Sequence, residues 1–268
     1  MRRLFSLVLL VVCYVLFSSH ELFLKTDTYF IKPNTEGEMY LFNGTFDKSE
    51  NIITRDRIVA ARIVGPSFDK GIANASYYDK NKSTYLRFTS GEEGTYVAGI
   101  STKPKMIALE ANKFNEYLEH EGLEDTINER KADGSFDTSA NERYSKHVKT
   151  LIQVGDKRTE EYGTVLGFPI EFVAKTNPYT AKVGEPLSFQ LLRDEKPLSN
   201  HICHFSTSMP GKDAHENENS TRTDENGMVT ITPTQMGNWY VATIHMEKRN
   251  EKGVDYESNW ATITFAVQ

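Results

Sequence analysis

The sequence predicts a mainly β protein of two β-sandwich domains, the first interrupted by a helical insertion. Three observations predict it. Short apolar runs separated by turn residues recur from Glu21 to Ile100 and again beyond Asn177. The stretch at about 111–152 instead spaces its apolar residues at helical intervals. The composition supplies a core, since 38% of the 268 residues are hydrophobic and only 25% charged, which excludes disordered, collagenous and coiled-coil chains.

Residues 1–19 read as an export signal. Met1, Arg2 and Arg3 form a positive start, Leu4 to Phe17 an uncharged and almost wholly apolar run, and Ser18 and Ser19 a small-residue exit. The run is shorter than the roughly 20 apolar residues a spanning helix needs. The expected location is therefore the periplasm or cell surface, with cleavage after Ser19. Membrane contact is expected only through this segment, if it stays uncleaved.

The first domain is expected over 20–175. Met39 to Phe42 ends at the turn signal Asn43-Gly44, and Arg57 to Val64 ends at Gly65-Pro66. Tyr85 to Phe88 and Tyr96 to Ile100 continue the strands. The insertion begins near Ala111 with Phe114, Tyr117 and Leu118, and a second helical stretch covers Leu123 to Arg130. After the break at Ala132 to Ser135, Ser139 and Glu142 form a capping-box pattern. It opens a third helix with the stripe Tyr144, Val148, Leu151 and Ile152. Strands resume at Ile170 to Val173.

Asn177-Pro178-Tyr179-Thr180 marks the boundary to a second domain at 176–268. Leu187 to Leu192, Val229 to Thr232, Trp239 to His245 and Trp260 to Val267 alternate as strands, and Thr223 to Gly227 reads as a hairpin turn. About ninety residues of short strands look like an immunoglobulin-like sandwich.

Charge and motifs restrict the function. A net charge of −6 argues against a nucleic-acid partner. The chain has no G-x-S-x-G elbow, phosphate-binding loop, H-E-x-x-H or dinucleotide fingerprint, so no enzyme is expected. Cys13 lies in the export signal, which leaves Cys203 alone and excludes an intramolecular disulfide or a C-x-x-C site.

The histidines carry the sharpest expectation. Cleavage after Ser19 gives His20 both an imidazole and a free α-amine, two nitrogens able to chelate a borderline divalent ion such as Ni, Co, Cu or Zn. His245, at the end of the expected strand from Trp239, is the first candidate to complete the set, and His147, in the helical insertion, the next. His120 sits in a charged run, His201 and His204 flank Cys203, and His215 lies in a polar loop. His147 beside its apolar stripe can equally be a packing residue.

The segments His20 to Lys25, Asn43 to Asn51, Glu142 to Lys149, Thr176 to Tyr179 and Asp255 to Thr262 resemble the domain of unknown function 4198 family, across essentially the whole exported chain. The family is related to periplasmic components of nickel and cobalt uptake systems. The resemblance implies an exported β-sandwich protein linked to metal, with ligands near the mature N-terminus; the expected partners are a membrane transporter or, for a metal-free module, an outer-membrane receptor. The leading expectation is non-catalytic capture of a transition-metal ion for an uptake or homeostasis system. The rival is a metal-free interaction or scaffolding module of the periplasm or cell surface.

Overall fold

The computed structural model describes residues 21–73 and 76–268. The export signal and His20 therefore lie outside the described residues. The first strands are β1 (Glu21–Lys25), β2 (Phe30–Ile31), β3 (Glu36–Gly44), β4 (Ser49–Asn51) and β5 (Ile58–Gly65). There follow β6 (Phe68–Gly71), β7 (Tyr77–Lys80), β8 (Ser83–Thr89), β9 (Gly94–Thr102) and β10 (Lys105–Leu109). Two helices, α1 (Ala111–His120) and α2 (Glu124–Ala132), precede β11 (Ala140–Val154) and β12 (Ile170–Ala174). The chain closes with β13 (Leu187–Arg193), β14 (Lys196–Pro197), β15 (Ile202–Thr207) and β16 (Asn219–Arg222), then β17 (Met228–Ile231), β18 (Gly237–Glu251) and β19 (Val254–Val267).

Among the described residues the strands form three sheets. A ten-stranded sheet runs β16-β15-β18-β19-β11-β9-β5-β6, with β10 and β2 also paired to β11. It is mostly antiparallel, but β11 and β19 run parallel, with Ser145 opposite Asn259 and His147 opposite Ala261. A five-stranded sheet, β1-β3-β8-β7 with β4 on β3, covers one face; a four-stranded sheet of β12, β13, β14 and β17 covers the other.

The alternation of strand side chains sorts the core into two layers. Leu151, Val241, Ile263 and Phe265 of the large sheet pack with Phe172, Leu187 and Phe189 of the four-stranded sheet. Val148 and Ile152 point the other way, onto Leu22, Leu24, Met39 and Leu41. The helices join this second layer further along, where Phe114, Leu118 and Ile127 pack on Ile244, Tyr256 and Trp260.

The mainly β class is observed, and the strands expected at 39–42, 85–88, 96–100, 170–173, 187–192, 239–245 and 260–267 all form. Two corrections follow. The insertion is helical only through Ala132; the expected third helix is the 15-residue strand β11, buried along most of its length. Tyr144, Val148 and Ile152 are spaced by four, an interval that keeps one face of a strand as well as of a helix. Leu151 settles the difference by packing on the opposite side. The turn at 224–227 also forms, with Gly227 at φ 69° and its N–H bonded to the Asp224 carbonyl at 3.0 Å. It does not close a hairpin, because β16 pairs with β15 whereas β17 pairs with β13 in another sheet. Residues on both sides of 175/176 contribute to the ten-stranded sheet, and β12 pairs with β13 across that point.

Candidate functional site

β1 lies on the face of the large sheet that carries the even-numbered side chains of β19. The Thr262 hydroxyl donates to the Leu22 carbonyl at 2.9 Å, and the Thr264 hydroxyl to the Leu24 carbonyl at 2.5 Å. Pairing of Glu21 with Gly44 of β3 then holds the Glu21 carboxylate against the sheet, 6% exposed.

A buried group of imidazoles and carboxylates surrounds it. His204 comes from β15, where alternation turns it away from the core-facing Cys203. His215 and Glu218 come from the turn that follows. Asp213 caps this turn by accepting from the His215 backbone N–H at 3.1 Å, and Asp47 anchors it by accepting from the Ala214 N–H at 2.8 Å. Glu218 accepts from the Tyr240 hydroxyl at 2.5 Å and lies 3.2 Å from Nδ1 of His204 and 3.5 Å from Nδ1 of His215. Nε2 of His215 is 4.0 Å from Oε2 of Glu21. That Glu21 oxygen has no hydrogen-bond partner among the described residues. Nε2 of His204 donates to the Glu121 carbonyl at 3.4 Å, and the buried Lys146 reaches in from β11.

The electrostatics follow from burial and crowding. Loss of water, then the charges of Glu121 and Glu218, hold the Glu21 carboxyl well above its ordinary value, with Lys146 opposing. Burial pushes Lys146 down to about 8 although Glu21 and Glu142 pull it up. Burial also disfavours charge on His204, but the bond to Glu218 outweighs it and the imidazole titrates above its usual value. Glu218 is correspondingly lowered: burial raises it, and the bonds from His204 and Tyr240 more than offset this. The arrangement gathers imidazole nitrogens and carboxylate oxygens in one buried place, donor types that suit a borderline divalent cation. Among the described residues no three His, Cys, Asp or Glu side chains are placed to hold one metal ion.

The expected ligands His147 and His245 are elsewhere. His147 is 2% exposed on β11; its Nδ1 lies 2.9 Å from the Ser101 hydroxyl, and its Nε2 lies 3.1 Å from Ser145 and 3.2 Å from Oδ1 of Asn259. Burial pushes it down to about 4. His245 on β18 pairs with Asn259, so it shares a face with His147 two strands away, roughly 10 Å by strand spacing. Its ring packs 5.5 Å from that of His201, and its Nδ1 is buried without a hydrogen-bond partner among the described residues. Two nitrogens on one zinc ion each stand about 2.0–2.1 Å from it, so this separation does not make a common site. Both rings lie on the face opposite β1. The residues that do surround Glu21 were not singled out as ligands: alternation in 200–205 turns His204 away from Cys203, but nothing local in the sequence brings the 213–218 turn to the chain start.

The layered sheets and the buried donor cluster describe a β-sheet protein with a small internal polar site. Residues 17–247 match the family described as domain of unknown function (DUF4198), and the chain belongs to that family. No curated protein matches it. Among solved structures it is similar to the D0-D1 domain of intimin, at 12% identity over 91% of this chain and 97% of that one, with a TM-score of 0.23. The Escherichia coli adhesin FdeC gives 12% identity over 91% and 65% and a TM-score of 0.22. The Escherichia coli α2-macroglobulin activated by porcine elastase gives 8% over 93% of this chain, which spans 20% of that protein, and a TM-score of 0.26. Superpositions at that level carry no argument about function. No helix among the described residues is long and apolar enough to cross a membrane.

Proposed function

We propose that the protein is exported and captures a divalent transition-metal ion as cargo, without catalysis, at the cluster beside Glu21. The observation that supports this is the buried Glu21 carboxylate, whose free oxygen faces His215 where β1 begins. His20 directly precedes Glu21 in the sequence, and cleavage after Ser19 frees its amine and imidazole as further donors for this reading. His204 and Glu218, 3.2 Å apart, are then the body's two donors, in place of His147 and His245, and the remaining donors come from the mature terminus. In this reading Ni or Co is the cargo and a membrane transporter the partner that takes it up.

Mass spectrometry of the exported protein and calorimetric titration with Ni²⁺, Co²⁺, Cu²⁺ and Zn²⁺ test this reading. The expected result is a mature chain starting at His20 and at least tenfold weaker binding in Glu218→Gln and in His204→Ala, with His245→Ala unchanged. A different mature terminus, or equal affinities in all these proteins, overturns it. The metal-free interaction module then stands, supported by edge strand β10, whose Met106 and Ile107 are 45% and 40% exposed.

A further inference from the structure

The opposite face of the large sheet holds a cavity of about 390 Å³. Its floor is a chain of polar side chains that the metal reading does not use. Oδ1 of Asn259 accepts from the Ser145 hydroxyl at 2.9 Å and lies 3.2 Å from Nε2 of His147. Nδ1 of His147 lies 2.9 Å from the Ser101 hydroxyl. An Nε2–H tautomer satisfies this chain throughout: it donates to Asn259 and leaves Nδ1 to accept from Ser101. The amide of Asn259 is thereby fixed with its oxygen used, and its Nδ2 has no hydrogen-bond partner among the described residues. Asn259 itself is only 4% exposed. This nitrogen is not among the buried polar atoms that lack a partner, so it opens to the cavity and can donate to an acceptor that enters it.

The walls decide which acceptor. Arg193 lines the cavity with one guanidinium nitrogen held by the Pro169 carbonyl at 3.0 Å and by Asp194 at 2.7 Å. Lys103 stands exposed at the rim. The acidic Glu257 is taken up by Arg143 at 2.9 Å and Arg249 at 3.3 Å. Asp194 also lines the cavity but turns one oxygen to Arg193, which leaves the Asn259 amide and the rest of the Arg193 guanidinium to match the two oxygens of a planar carboxylate. Val59, Pro104 and Pro169 add apolar wall. An inorganic anion leaves that wall unused, whereas a short carbon skeleton covers it. The volume is at the small end of the range of small-molecule sites.

We propose that this cavity binds a small organic carboxylate, its oxygens on Asn259 Nδ2 and Arg193 and its carbon chain against Val59 and the two prolines. The site is independent of the metal reading, because the two lie on opposite faces of the sheet. Calorimetric titration of the full mature protein with acetate, succinate and inorganic phosphate at matched ionic strength tests it. The expected result is binding of acetate or succinate, weaker by at least tenfold in Arg193→Gln and weaker in Lys103→Ala, with His204→Ala equal to wild type. Absence of carboxylate binding to the wild type, phosphate binding as tight as succinate, or wild-type affinity in both cavity variants overturns it. Lys103 is exposed, so its variant remains informative if Arg193→Gln does not fold.

Discussion

The Glu21 carboxylate and the His215 imidazole meet at 4.0 Å, one at the head of the first strand and the other on a turn between β15 and β16. The contact joins the first strand to a turn far along the chain in one buried polar site, and the burial of Glu21 there makes the stability of the metal-free protein depend on pH.

Glu21 titrates above its ordinary value because burial and the charges of Glu121 and Glu218 penalise its ionised form. The folded state therefore holds a proton that the unfolded chain releases. This contribution is fully present below the unfolded carboxylate value, near pH 4.3–4.5, and is lost as pH rises through the folded value. Thermal midpoints of metal-free Glu21→Gln are expected to fall less than those of wild type as pH rises from that point. Parallel curves for the two proteins contradict the assignment.

His147 works with the opposite sign. Its value is pushed down to about 4, chiefly by burial, so the folded state resists a proton that the unfolded chain takes up near pH 6.5. Stability is expected to drop as pH falls from about 6.5 towards 4, and His147→Gln should flatten this part of the midpoint curve. An unchanged acid limb counts against a neutral buried imidazole.

Lys149 and Glu171 form an ion pair at 2.8 Å, with both side chains 1% exposed. Glu171 also accepts the backbone N–H groups of Leu166, Gly167 and Phe168 at 2.9, 2.7 and 3.1 Å. Glu171→Ala strands a buried ammonium and three donors, and a loss of about 3–5 kcal/mol is expected in urea unfolding. The exposed pair Arg62–Asp69 is the comparison, and Arg62→Ala should leave the urea midpoint in place.

Phe114 is fully buried under the large sheet, 5.0 Å between ring centroids from Tyr256 and beneath the Arg130 guanidinium. Phe114→Ala is expected to cost about 3–5 kcal/mol in the same measurement, because the helix pair cannot collapse onto the sheet to fill the gap. A cost under about 1 kcal/mol would show that α1 is not anchored through this ring.

Much of the fold was legible locally. The alternating runs around Met39, Leu86, Val97, Leu187, Val241 and Ile263 became strands because each puts apolar side chains on a buried face. Phe114 and Leu118 marked α1 by the same reasoning at helical spacing. β11 was misleading for a physical reason. A central strand buried on both faces has no polar face to impose period two, and its spacing of four fits either structure. The candidate site was legible only in part: the alternation that turns His204 away from Cys203 was visible, but the approach of the 213–218 turn to Glu21 was not.

By itself the sequence determined the β class, the positions of most strands, the helical start of the insertion and the residue types available for chemistry, because these depend on neighbours along the chain. Only the tertiary structure decided that His147 and His245 face away from β1, and that His204, His215 and Glu218 gather beside Glu21. Strand order and the layering of sheets are set by burial summed over distant segments, and no local pattern in the chain encodes which face of a sheet a far-off strand will cover.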